Sequence, residues 1–291
     1  MTRRAATLTG LIAILLWALL GVFTVATAPV SPLQLNAVCL GIGALIGFGW
    51  IAAKGTWAKL RDVPIWVYAF GTAGIFGYHF LYFTALRLAP PAQAGLICYL
   101  WPLLIVLFSG LLPGERVRAV HLIGAGLAFA GVALILLDRG ADFDPAAGAG
   151  YAVALVAALF WSGYSVGSRR LGDTPTEAVA IFCAASAILA LAAHLALEQT
   201  LWPSRPTGWL AILGLGIGPV GAAFYVWDIG VKKGDIQLLG TASYAAPLLS
   251  TVALVVTGAA MARPSLFVAA ALITAGALFA AQGSRRVTQK A

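Results

Sequence analysis

The side chains able to do chemistry in this chain are almost all aromatic. One apolar run carries Tyr78, His79 and Tyr82, and the next carries Tyr99, Trp101 and Pro102. On a helix these spacings put Tyr78, His79 and Tyr82 on one face. Trp17 shares a stripe with Gly10, Gly21 and Thr24, while Trp161 shares one with Ala154, Ala158, Ser165 and Ser168. A bulky ring among small and hydroxyl residues suits a cavity lining, and it also suits a tight helix crossing; cavity lining is the reading adopted. Farther on come Phe224 and Trp227, then Tyr244 three residues before Pro247, as Tyr99 stands three before Pro102. Such rings stack on flat ligands, offer hydroxyl and indole donors, and attract organic ammonium groups.

They do not compose a reaction centre. No second histidine or carboxylate falls at helical spacing around His79, and Ser165 has no basic partner, so a nucleophile–base pair is missing. Cys39, Cys98 and Cys183 lie inside apolar runs and form neither a disulfide framework nor a metal spacing. No catalytic residue, metal or cofactor is expected. His79 is read first as a neutral imidazole bonded to a neighbour or to a ligand carboxylate, and only second as a proton-coupling site. Asp228 and Lys232, four apart, are expected to form a local ion pair. Trp101 falls opposite Tyr99 on an ideal helix, so both reach one cavity only where Pro102 distorts the turn. Pro102 and Pro247 each remove a backbone hydrogen bond and are the candidate hinges.

What must position these residues is a bundle of membrane helices. Of 291 residues 61% are hydrophobic and 10% charged, against about 25% charged in an ordinary soluble domain. Runs of about 20 apolar residues number ten: 6–27, 32–53, 64–86, 91–112, 118–137, 147–168, 176–197, 207–230, 236–258 and 264–283. The first resembles a secretory signal, with Arg3 and Arg4 ahead of it and Ala26-Thr27-Ala28 at its end. Its span-like length and the following Pro29 favour an uncleaved helix. Trp57, Trp66, Trp202 and Trp209 fall near span ends, where indole sits at headgroup level.

The net charge of +8 orients the bundle and does not mark a nucleic-acid partner. With the N-terminus in the cytoplasm, fourteen Lys and Arg lie inside and only Arg87, Arg139, Arg205 and Arg263 outside. That bias places both termini in the cytoplasm. The acidic loop from Asp138 to Asp144 then falls outside.

The chain also repeats itself. An offset of 145 aligns Gly71 with Gly216, Gly95 with Gly240, Tyr99 with Tyr244, Pro102 with Pro247, Arg118 with Arg263 and Gly131 with Gly276. An offset of 144 aligns Trp17 with Trp161. Two copies of five spans, residues 1–138 and 146–291, must enter the membrane from opposite sides. Inverted repeats are a recurring plan of secondary transporters, whose site lies near the midplane between halves. A filter loop or charge ring, as in a channel, is absent.

This 5+5 layout, with Pro102, Gly114-Glu115-Arg116-Val117-Arg118, Gly124 and Gly131-Val132, resembles the EamA-type members of the drug/metabolite transporter superfamily. Trp17, Tyr78-His79-x-x-Tyr82 and Tyr99-x-Trp101-Pro102 look most like its YddG group of aromatic amino acid exporters. The second copy departs from the pattern, carrying Ala259-Ala260-Met261 where Gly-Glu would recur. The resemblance implies a monomeric cell-membrane (plasma or inner membrane) protein exporting amino acids, preferentially aromatic ones, by alternating access. From the residues alone, stacking on an aromatic ring and cation–π attraction to an ammonium are of similar size, about 0.5–2 kcal/mol. An exporter of organic cations or quaternary ammonium drugs is therefore the alternative. Either way, Trp17, Tyr78, His79, Tyr82, Tyr99, Trp101, Trp161, Ser165, Phe224, Trp227 and Tyr244 are the candidate substrate contacts.

Overall fold

The computed structural model describes residues 1–137, 144–258, 261 and 263–288, the stretch 283–288 by its backbone alone. Most of the acidic loop (138–143), Ala259, Ala260 and Lys290 lie outside the described residues. All regular structure among the described residues is helical. The α-helices are α1 (Arg3–Trp17), α2 (Leu20–Ala26), α3 (Pro32–Lys54), α4 (Ala58–Arg61), α5 (Ile65–Leu88), α6 (Pro91–Cys98), α7 (Trp101–Ser109), α8 (Ala119–Leu137), α9 (Gly148–Arg170), α10 (Ala178–Leu197), α11 (Pro206–Ile217), α12 (Ala223–Lys233), α13 (Ile236–Ala242), α14 (Ala245–Val256) and α15 (Ser265–Thr288).

Helix ends follow local chemistry. The Thr2 hydroxyl accepts the Ala5 N–H at 3.2 Å at the start of α1, and the Asp235 carboxylate accepts that of Leu238 at 2.9 Å at the start of α13. Pro32, Pro91 and Pro206 open their helices where the missing N–H is harmless. Gly55, with φ of 64°, closes α3 in the left-handed conformation.

Taken through their breaks, nine helical stretches among the described residues are long and apolar enough to cross a membrane. They cover nine of the ten expected spans. The remaining one is α5, an unbroken 24-residue helix that carries three tyrosines and His79. Four of the nine are interrupted. The α1–α2 stretch breaks at Ala18–Leu19, α6–α7 at Tyr99–Leu100 and α13–α14 at Ser243–Tyr244, while a π-helical turn, Gly218–Ala222, separates α11 from α12. Pro102 and Pro219 sit at two of these places, lacking the N–H that would continue the ladder.

The packing recurs with the 145-residue spacing. The α1 helix lies on α12 as α9 lies on α5, and α7 packs on α9 as α13 and α14 pack on α1. Two pairs bind counterpart to counterpart, α3 to α10 and α8 to α15. Glycine makes the closest crossings possible. A methyl group on Gly124 would stand 2.6 Å from the Gly276 carbonyl oxygen, and one on Gly276 would stand 2.4 Å from that of Gly124. At the α1–α12 crossing a methyl on Gly10 would meet Gly230 Cα at 2.9 Å. Small residues let membrane helices meet backbone to backbone in this way.

Candidate functional site

Four tryptophans from four helices meet in the middle of the bundle. Trp17 ends α1, Trp101 begins α7, Trp161 is central in α9 and Trp227 in α12. Every ring lies against the other three. Centroids are 5.0 Å apart for Trp17 and Trp227, 5.9 Å for Trp17 and Trp161, and 6.1 Å for Trp17 and Trp101. Trp101 stands 6.2 Å from Trp161 and 6.0 Å from Trp227, both edge-on, while Trp161 and Trp227 stack at 6.4 Å. None is more than 9% exposed.

Indole donors fix the outer corners of this tetrad. Trp227 Nε1–H donates to Ser165 Oγ at 3.1 Å, one turn below Trp161. Trp17 Nε1–H donates at 3.1 Å to the Pro219 carbonyl in the π-helical turn. Such turns slip the ladder by one residue and frequently accompany functional sites.

On one side of the tetrad stand rings that are only half-buried. Tyr78 lies 5.3 Å from Trp161 and stacks on Tyr82 at 5.9 Å. His79 meets Phe224 edge-on at 6.0 Å, and Phe224 in turn lies 5.8 Å from Trp161. The His79 Nδ1–H donates to the Ile75 carbonyl at 2.7 Å; since a carbonyl only accepts, Nδ1 carries a proton and Nε2 points away from its own helix. Together these residues combine ring faces, two hydroxyls and an imidazole with no fixed charge.

The break at Tyr99–Leu100 sends its two aromatic neighbours to different places. An unbroken helix would favour Tyr99, but the reset brings Trp101 into the tetrad. Tyr99 packs with Leu103 and Phe129, in the cluster around Tyr244. Tyr244 is fully buried, 6.0 Å from Phe129, and its hydroxyl accepts the Leu103 N–H at 3.2 Å. That N–H lost its intrahelical carbonyl at the break, so Tyr244 of the second half caps the interrupted helix of the first. The repeat would set Tyr244 in one pocket wall with Phe224 and Trp227; it packs instead in a separate cluster. Tyr82 stacks on Tyr78 and meets Phe83 edge-on.

Two polar features outside the aromatic centre bear on its surroundings. Asp228 and Lys232 form the expected pair, Nζ lying 2.8 Å from Oδ1 and 2.9 Å from Oδ2, with Thr174 O and the Thr176 hydroxyl completing it. Sequence reasoning missed the carboxylate of Glu198, which joins Arg87, His194 and the N–H groups of Leu33 and Gln34. Its signal was the i,i+4 spacing of His194 and Glu198. Pro219 was also missed, although a mid-span proline flags a break. The three cysteines are buried and free, and no group of three His, Cys, Asp or Glu among the described residues is placed to hold a metal.

Comparison with known proteins bears on what this arrangement serves. The model of the EamA-like transporter family matches twice, over residues 4–137 and 148–282. The chain belongs to the EamA-like transporter family. A relative from Ancylobacter novellus, named aromatic amino acid exporter YddG, is 50% identical over 98% of this chain and its own full length. The Escherichia coli protein of the same name is 24% identical over 98% of this chain and all of its own. A solved crystal structure, 49% identical, superposes with a TM-score of 0.94 over 98% of this chain and 99% of that one. The chain is thus an all-helical, multi-pass membrane transporter. Family and relatives name transport, not catalysis.

Proposed function

We propose that this transporter exports amino acids from the cytoplasm, preferring aromatic ones. The observation that carries this reading is the tryptophan tetrad with half-buried Tyr78, His79 and Tyr82 on one side of it. An aromatic side chain entering there gains ring contacts worth about 0.5–1.5 kcal/mol each beyond area burial. The names of the relatives from Ancylobacter novellus and Escherichia coli support the same substrate class.

In this proposal Tyr78, His79, Tyr82 and Phe224 form the wall of the substrate chamber, and Trp17, Trp101, Trp161 and Trp227 its floor. Ser165 and Tyr244 hold that floor and the adjoining helix break in place. Tyr99 lines the edge, and Pro102 and Pro247 mark hinges. The protein crosses the inner membrane ten times, as two inverted repeats of five helices with both termini in the cytoplasm. The distribution of Lys and Arg and the paired packing of α1–α12 and α9–α5 support that arrangement. Transport proceeds by alternating access, the floor parting as the halves rock.

The chamber rings contribute no fixed cation to take a substrate carboxylate, an observation that favours organic cations as the second reading. Proteoliposomes decide between them. Labelled phenylalanine or tryptophan is expected to cross with saturation and counter-exchange, and an added pH gradient tests proton coupling. Inactivity toward several amino acids, together with flux of a cationic dye, replaces the first reading by the second.

A further inference from the structure

At the Arg3 end of the bundle, side chains from both halves converge on one carboxylate. Glu115, in the turn after α7, has a side chain only 8% exposed. One of its oxygens is gripped by the guanidinium of Arg169, the penultimate residue of α9. Its other oxygen accepts from Gln237 Nε2 at 3.2 Å and from Arg3 Nη2 at 3.4 Å. Arg169 also donates to the carbonyls of Val231 and Gly234, each at 2.9 Å, filling acceptors that the end of α12 leaves open. Asp235 lies 3.8 Å from Arg3, and its backbone N–H donates to the Thr7 hydroxyl at 2.9 Å. The network therefore ties α1 and the α7–α8 turn to α9, α12 and α13.

It also stands in line with the tetrad. At 1.5 Å per helical residue, α12 carries the chain about 9 Å from Trp227 to Lys233, two residues before Asp235. Ile105, Leu112, Val231, Ile236 and Leu239 are all buried in the cluster that contains the tetrad, and each stands within four residues of a tetrad ring or a network residue, so they form the apolar layer that joins the two. A solute reaching the tetrad from this end must part both the apolar layer and the ionic network. At the equivalent position of the second copy the sequence has Ala260 in place of Glu115, so the carboxylate occurs at one end only.

The substrate's charges match the network. An amino acid ends in an ammonium and a carboxylate, and the chamber rings supply a fixed partner for neither. Pulling Glu115 from Arg169 leaves the carboxylate with Arg3 and Gln237 but takes the charged partner from a guanidinium whose side chain is only 16% exposed, which is unfavourable. Exchanging their mutual contact for a zwitterion strands neither. A ligand shifts an equilibrium only by its differential affinity for the two states, and a zwitterion has that affinity for the parted pair.

We propose that Glu115 and Arg169 form a docking site for the charged end of an α-amino acid, whose ammonium and carboxylate replace the pair's mutual contact and so unlock the passage. This rests on the export reading and on the cytoplasmic position of the Arg3 end.

The test is access to a cysteine in the layer behind the network. Ile236→Cys, at a position 0% exposed, is introduced into the full chain in inside-out vesicles and treated with a charged maleimide. The chain without that cysteine serves as blank, since Cys39, Cys98 and Cys183 are buried. Phenylalanine is expected to raise labelling at least about tenfold, the range over which a minor state can grow. Phenylalaninamide, lacking the carboxylate, and 3-phenylpropionate, lacking the ammonium, leave it low. Glu115→Gln and Arg169→Gln label rapidly without ligand and no longer respond to phenylalanine. Glu115→Asp, which keeps a carboxylate for Arg169, Arg3 and Gln237, retains slow labelling and the response, which shows that rapid labelling follows the lost charge and not misfolding. Equal opening by the amide or the propionate overturns the proposal, as does slow labelling in both single variants. The export reading is judged separately by flux. Opening by alanine but not by aromatic amino acids, with no aromatic flux, keeps the docking site and discards the aromatic preference.

Discussion

Replacing Ser165 by alanine removes one oxygen and almost nothing else, which makes it a sharp probe of the tetrad. Trp227 is 0% exposed and its indole N–H has Ser165 Oγ as partner at 3.1 Å. With the oxygen gone, no water reaches the donor, and a buried unpaired donor costs about 1–3 kcal/mol. Trp227→Phe instead deletes the donor and part of the ring, leaving a void and lost contacts of similar or larger cost. In that background Ser165→Ala strands nothing, so its added cost falls toward zero. The double variant is therefore expected to be more stable than the two single losses imply, by about 1–2 kcal/mol, within the range seen for residues in direct contact. Unfolding midpoints in a denaturing-detergent titration measure all four corners of the cycle. Losses that add to within about 0.3 kcal/mol, the behaviour of independent sites, would show that the bond contributes nothing and that Ser165 merely fills space.

Other perturbations test other parts of the structure. Gly276→Ala places a methyl 2.4 Å from the Gly124 carbonyl oxygen, so α8 and α15 must separate; a loss of about 1–3 kcal/mol is expected by the same titration, as for other overpacked contacts. Tyr244→Phe takes the acceptor from the Leu103 N–H at the Tyr99–Leu100 break, and a loss of about 1 kcal/mol is expected, accompanied by faster amide exchange at Leu103. Glu198 gives a pH dependence. Burial alone would push its carboxyl up, but hydrogen bonds from His194, Ser31 and the backbone of Leu33 and Gln34 outweigh this and hold it below the usual 4.5. A group lowered on folding stabilises above its unfolded value and loses that contribution as pH falls through the folded one. Thermal stability is thus expected to decline on acidification below pH 4.5, and Glu198→Gln to flatten the profile in that window while lowering stability at neutral pH.

How far the sequence led depended on whether a feature was periodic. Helix positions were legible because apolar length is a local property, and expected edges such as 32–53 and 118–137 lie within a residue or so of Pro32–Lys54 and Ala119–Leu137. Trp17 and Trp161 were legible as a pair because they align across the repeat, whereas their meeting with Trp227 and Trp101 depends on how four helices cross. The place of Trp101 in the tetrad was not legible because ideal periodicity runs through a break it cannot locate. The proline announced a disturbance, yet the direction of the reset depends on which N–H the neighbouring half can satisfy, and Tyr244 lies 141 residues away. The Glu115 network was illegible for the same reason. Its carboxylate and Arg169 are 54 residues apart, and an ion pair leaves no spacing rule at that distance. Glu198 fell between the two cases, its His194 partner being local and its Arg87 partner remote.

The mutual contact of four indoles has a kinetic meaning. In a row of stacked rings, an end member peels away while the others keep their neighbours. In the arrangement of Trp17, Trp101, Trp161 and Trp227 there is no end member, since whichever ring leaves first forfeits every partner it has in the group. Opening therefore meets its steepest cost at the outset, and half-open forms are disfavoured against both closed and fully parted ones. In the proposed export cycle, a planar aromatic guest would fill the place of a departing ring as it departs. Under the export proposal, in which the tetrad is the floor of the passage, selectivity would arise while the closure is being undone, from what can stand in for an indole, more than from the fit of a finished pocket.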